Sequence, residues 1–121
     1  MTTALLPIHP RHVEGILARR KTVEIRRTVP KRDITRLVIY ETAPSSRVVA
    51  DCRVRLWIGS PDAAERRFRG RFGVSVREFR DYVSGRPEIA VLEIDDVIPV
   101  DDRCLRDYGL NSPPQSWVYL D

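Results

Sequence analysis

The segment Ala18–Arg27, ARRKTVEIRR, sets one lysine among arginines, three residues before the only carboxylate of the run, Glu24. The chain holds 21 Lys and Arg, and only Lys21 and Lys31 are lysines, which leaves 19 arginines. Arginine stays protonated, whereas a desolvated lysine can release its proton and serve as a base or nucleophile. A lysine inside an arginine run therefore points to a use for a compact, titratable amine; Lys31 is the reminder that the choice can be incidental. Alternation from Thr22 to Arg27 puts Glu24 and Arg26 on one strand face, about 7 Å apart by the two-residue repeat. Lys21, at the junction with the preceding helix, leans over the same patch. In a cleft, Glu24 could accept from an exocyclic amine while Arg26 pairs with phosphate or carbonyl oxygens, and Arg27 adds a phosphate contact. Lys21 as base with Glu24 as proton relay would suit a hydrolysis. The plain alternative is a surface ion-pair trio, worth little energetically.

Other chemistry-bearing residues have simpler explanations beside the sharper ones. His9 and His12 could form an acid–base pair, or simply stand at a helix start. Glu78 follows Ser75 at capping-box spacing, which accounts for it without chemistry. Tyr40, before the turn TAPSS, and Trp117, after SPPQS, could flank a cleft as stacking rings, although each ring is more often core. Trp57 sits on the outward parity of its strand, as a stacking platform or a packing partner for the following helix. Arg66, Arg67, Arg69 and Arg71 form either a phosphate-contacting edge or a solvated face. Cys52 and Cys104 lack the paired spacing of a zinc site, and neither a metal nor another cofactor is expected.

Positioning these groups falls to a recognisable series of elements. ALLPI (Ala4–Ile8) is a short apolar stretch whose Pro7 disfavours a central strand near its end. Val13, Ile16 and Leu17 recur at helical spacing, so Arg11–Arg20 reads as an amphipathic helix with Pro10 in its first turn. Thr22–Arg27 reads as a half-buried strand and Arg36–Thr42 as a core strand. Val48–Ile58 alternates, with Val48, Ala50, Cys52, Val54, Leu56 and Ile58 inward and Asp51, Arg53 and Arg55 outward. A short basic helix occupies the 60s, and a second helix runs from the Ser75 cap, buries Phe79 and Val83, and stops at Gly85. Glu88–Val100 reads as a long strand bent near Asp95–Asp96, and Trp117–Leu120 as a closing strand.

Length and composition set the class. With 121 residues, 42% hydrophobic and 31% charged, the chain reads as a single globular domain over 1–121. No apolar run approaches a bilayer span and the start lacks a signal-peptide pattern, so a cytoplasmic protein off the membrane is expected. A pI of about 9.5 falls in the range of nucleic-acid binders. Arg19–Arg36 carries eight Lys and Arg against Glu24 and Asp33, whereas Glu88–Asp107 carries seven acids against Arg103 and Arg106. That asymmetry predicts a dipolar molecule with one positive face, or two solvated faces of opposite sign.

Four stretches, LLPIHPRHVEGILARRKTVEIRR, LVIYETAP, VSVREFRDYVSG and PPQSWVYLD, together resemble the ASCH domain of the PUA-like superfamily. The family motif is a glycine, any residue, a lysine, four residues and an arginine. Lys21 and Arg26 fill the lysine and arginine positions, and Arg19 stands where the glycine is expected. The resemblance implies an α+β fold: a small mixed β-barrel of five or six strands with flanking short helices and a cleft. It also implies a link to RNA or nucleotides. In relatives of the amidohydrolase type, which act on acetylated cytidine, a threonine stands three residues after the lysine. Glu24 occupies that place here, so that activity is not carried over. The expectation is an RNA- or nucleotide-binding domain whose cleft holds Lys21, Glu24, Arg26 and Arg27, with Tyr40 and Trp117 beside it. The alternatives are a hydrolase of a modified nucleoside or of RNA using Lys21 and Glu24, and a transcription-associated module with a protein partner.

Overall fold

The computed structural model describes residues 2–120. The elements run β1 (Thr2–Ile8), α1 (Pro10–Leu17), β2 (Val23–Arg26), β3 (Ile34–Glu41), β4 (Arg47–Gly59), α2 (Pro61–Arg67), α3 (Val76–Val83), β5 (Ile89–Pro99), a 3-10 turn (Leu105–Tyr108) and β6 (Val118–Tyr119). All six strands form one mixed sheet in the order β2-β5-β4-β3-β1-β6, with β1 parallel to β3 and the other pairs antiparallel. No helix among the described residues is long and apolar enough to cross a membrane.

The fold is α+β, as expected, but the sheet is not a closed barrel: β2 and β6 are its two edges. The reason lies at β1. Among the described residues, strand β6 pairs only with Ala4 and Leu5, so the Leu6–Ile8 end of β1, which contains Pro7, has no strand on its outer side. Pro7 has no N–H to offer a neighbour there. One side chain crosses the gap instead, as Nη2 of Arg26 on β2 donates to the Pro7 carbonyl at 3.4 Å.

Period-two alternation distributes the apolar side chains over both faces. Leu6, Ile8, Leu37, Ile39, Leu92 and Ile94 fill the interior with Val13 and Ile16 of α1. Val23, Ile25 and Val91 pack on the other face against Phe68, Phe72, Phe79 and Val83 of the helical layer. Burying each such side chain stabilises by roughly 1.5–3 kcal/mol. A third cluster of Leu5, Val38, Tyr40 and Val48 is covered by the C-terminal segment.

Several boundaries differ from the sequence reading. Helix α1 ends at Leu17, not Arg20, because Arg19 turns left-handed at φ 62° and the N–H groups of Arg20 and Lys21 return to the Gly15 carbonyl. Strand β2 is buried on both faces, with Val23 fully buried, Glu24 6% exposed and Ile25 6% exposed. On β4, Val49 is an extra residue opposite Ile39–Tyr40, and Asp95 is an extra residue of β5 opposite Arg53–Val54. The second irregularity makes the bend expected near Asp95. Ile58, expected inward, is 41% exposed, because β3 stops flanking β4 at Arg53 and the interior ends near Leu56. Trp57 packs edge-on against Phe68, 5.5 Å between ring centres, as a partner of the helical layer. The acidic stretch is interleaved with arginines: Glu93 pairs with Arg55 and Arg71, and Asp95 with Arg55.

Candidate functional site

Lys21 is a buried cation, 5% exposed, and its position is built by the backbone around it. The turn after α1 lays its stem between two glycines. A Cβ at Gly73 would stand 2.8 Å from the Lys21 Cβ, a collision, and one at Gly15 would stand 3.3 Å from it, a tight contact. Gly73 also has φ +73°, a conformation side chains rarely adopt. The stretch is anchored on its Thr22 side by two bonds: the Thr22 N–H donates to the Arg71 carbonyl, and Arg71 Nε donates to Thr22 Oγ1 at 2.7 Å. Nζ of Lys21 then donates to the Phe72 carbonyl at 2.8 Å and lies 3.4 Å from Glu24 Oε1.

Glu24 takes the second cation on its other oxygen, with Arg26 Nη2 2.9 Å from Oε2. A carboxylate this deep needs both partners, since burying an unpaired charge is costly. The Arg26 Nε is buried without a hydrogen-bond partner, so the guanidinium is committed to Glu24 and Pro7 through Nη2.

The trio forms one wall of a cavity of about 530 Å³ at the gap between β1 and β2. The β1–α1 corner contributes Pro7, His9 and His12, and α3 contributes Glu78, Asp81 and Tyr82. A cavity this size lies in the range of small-molecule sites. Burial first, and the Lys21 charge second, lower the His12 pKa from its ordinary 6.5, so near neutral pH the imidazole carries no charge. At the rim, Arg11 Nη2 lies 3.2 Å from both oxygens of Glu78. That guanidinium first, and the Ser75 cap after it, hold the Glu78 carboxyl below its usual range.

Lys21, Glu24 and Arg26 therefore meet. Arg27 is exposed at the rim, its guanidinium 4.9 Å from the centre of the Tyr82 ring. Tyr40 and Trp117 do not line the cavity. The irregularity at Val49 pairs Tyr40 with Val48 and buries its ring, at 6% exposure, in the third cluster. Trp117 packs onto the interior cluster from the C-terminal segment. His9 serves as the α1 N-cap, with Nδ1 accepting from the Arg11 N–H. Gly15, Gly73, Tyr82 and the Phe72 carbonyl went unnoticed in the sequence. Tyr82 lies three residues after Phe79 on α3, a spacing that shares a helix face. The two glycines of RGRFG were the available hint for Gly73.

An open six-stranded mixed sheet, backed by short helices and carrying a cavity where its edge strand meets β1, defines a small α+β domain. No family model matches the chain. A curated relative from Zymomonas mobilis, named an ASCH domain-containing ribonuclease, is 26% identical over 123 residues, covering 97% of this chain and 83% of the relative. The crystal structure of ASCH from Zymomonas mobilis superposes with a TM-score of 0.85 at 25% identity, over 98% of this chain and 87% of that one. A tyrosine-to-phenylalanine variant of the same protein gives a TM-score of 0.86 at 24% identity, over 100% and 91%. Over nearly its whole length the chain is similar to this ASCH protein in both sequence and fold.

Proposed function

We propose that this chain is an ASCH domain that binds RNA, seating one nucleotide in the cavity beside Lys21, Glu24 and Arg26. The observation that carries the reading is the buried cation–carboxylate–cation cluster, held in advance by the Phe72 carbonyl and two glycines. Two cations on one carboxylate leave the trio with a net positive charge suited to a phosphate or carbonyl oxygen. Each Glu24 oxygen keeps a lone pair for a base amine. The name of the Zymomonas mobilis relative supports RNA as the polymer. Fluorescence anisotropy with labelled single-stranded RNA at low and moderate salt tests it. Binding should weaken with salt, and Lys21→Met should lower affinity about tenfold or more, beyond the effect of one surface charge. Equal binding by wild type and variant would remove the site from this cavity, and no binding by either would leave a protein partner as the better reading.

The second reading is a ribonuclease. His12 favours it, because a neutral imidazole beside Lys21 can take the proton of a ribose 2′-hydroxyl as that oxygen attacks phosphorus, while the bond to the 5′-oxygen breaks and that oxygen takes a proton from water, leaving a 2′,3′-cyclic phosphate and a 5′-hydroxyl. Lys21 would then offset the charge building on the phosphate oxygens. Cleavage products on a denaturing gel that vanish in His12→Ala and Lys21→Met support turnover, whereas binding without products supports a reader.

A further inference from the structure

Tyr82 is the aromatic residue that α3 leaves exposed. Phe79 and Val83 of α3 are buried at 2% and 3% exposure, while Tyr82 is 38% exposed and lines the cavity. Its ring is nonetheless fixed in place. The hydroxyl donates to the Ile25 carbonyl at 3.5 Å, on the edge strand β2. The Arg27 guanidinium, 4.9 Å from the ring centre, lies within cation–π range. Tyr82 lines the cavity and Arg27 does not, so the ring rather than the guanidinium borders the space a ligand would enter. A ring ordered before any ligand arrives loses little freedom on binding.

We infer that Tyr82 is the stacking platform of this cavity, taking one unpaired base of an RNA single strand on its open face, with Arg27 behind it. The inference rests on the RNA reading above and adds to it the kind of strand selected. Every base has a face that stacks on an aromatic ring, so the platform is tolerant of sequence. In a duplex the bases are already paired and stacked, so the same ring excludes helical RNA. The trio of Lys21, Glu24 and Arg26 then meets the polar edge of the base or its phosphate. Arg27 serves twice, as a cation behind the ring and as a charge near the backbone of the strand.

The experiment uses a short single-stranded RNA carrying one 2-aminopurine, whose fluorescence is quenched when the base stacks, and the same RNA annealed to its complement. Wild type should bind the single strand more tightly than the duplex and quench the probe. Tyr82→Phe, which keeps the ring, should retain both properties. Tyr82→Ala should lose about tenfold or more in affinity and lose the quenching. Circular dichroism of the variants checks that each is folded, as the exposure of Tyr82 leads one to expect. If Tyr82→Ala binds and quenches like wild type, or the duplex binds as tightly as the single strand, the platform is overturned while the RNA reading stands. If wild type binds neither RNA, both fall together.

Discussion

Two carboxylates of this domain are buried to nearly the same degree, Glu24 at 6% and Asp51 at 8% exposure, and each faces two cations. Glu24 has Lys21 and Arg26, whose side chains are 6% and 21% exposed. Asp51 has Arg36, whose Nε donates to Oδ1 at 2.8 Å, and Arg103 at 4.0 Å, and these side chains are 55% and 48% exposed. The difference lies in the cation. Arg36 and Arg103 reach in from water and cover a carboxylate on the β3–β4 surface. Lys21 is carried inside, stripped of water on its stem and given a carbonyl for its amine. A cation left to solvent closes a surface, whereas a buried one next to a cavity maintains charge where a ligand can meet it.

Replacing each acid by leucine breaks the comparison most directly. Glu24→Leu leaves a buried lysine and a half-buried arginine without a counter-charge and should cost about 3–5 kcal/mol of stability. Asp51→Leu leaves cations that can turn back to water, and should cost under about 1 kcal/mol. Urea unfolding of the two variants measures the contrast, and equal losses would show that the Glu24 cluster is no more demanding than a surface pair.

The glycines sharpen the same point at the next magnitude. Gly73 and Gly70 both hold positive φ, +73° and +80°, but a Cβ at Gly70 meets nothing within 4 Å. Gly70→Ala should cost about 1 kcal/mol for the backbone alone. Gly73→Ala adds the collision with the Lys21 stem and should cost about 2–3 kcal/mol. It should also weaken RNA binding in the anisotropy assay while Gly70→Ala does not.

These residues also show where the sequence was legible. The strand alternation, the Ser75 cap and the bend at Asp95 rest on local rules, and spacing brought Glu24 and Arg26 to one face. The grip on Lys21 was not legible, because Gly73 and the Phe72 carbonyl are about fifty residues away and meet it only through the packing of the 60s–70s segment on β2. Tyr40 misled for the opposite reason. One extra residue at Val49 changes what faces what, and alternation alone cannot show it.

Arg19 occupies the glycine place of the family motif and still makes the turn, at φ 62°. Its side chain helps hold it, donating through Nη2 to the Ile94 carbonyl at 3.2 Å. Comparing Arg19→Gly with Arg19→Ala cancels the loss of that bond and isolates the backbone. The glycine variant should be the more stable by about 1 kcal/mol in thermal unfolding. Equal stabilities would mean that the left-handed turn carries no strain at this position.

The smallest expected effect is one of pH, and it belongs to the cavity region alone, since the Asp51 cluster contains no histidine. His12 faces Lys21, Arg11 and His9, which disfavour its protonation, and Glu24, which favours it, while burial is the largest influence and lowers the pKa. With the folded pKa below the unfolded value near 6.5, the unfolded chain takes up a proton first as pH falls. Stability from this group is therefore whole above about pH 6.5 and declines below it until the folded imidazole also protonates. His12→Gln removes the titration without removing the polar group. Between about pH 7 and pH 5 the wild type should lose more stability than His12→Gln, by under about 1 kcal/mol, in urea midpoints taken at matched salt. A wild type that gained stability relative to the variant on acidification would mean that Glu24 outweighs burial and Lys21 at this imidazole, and that the cavity wall is negative rather than positive where His12 meets it.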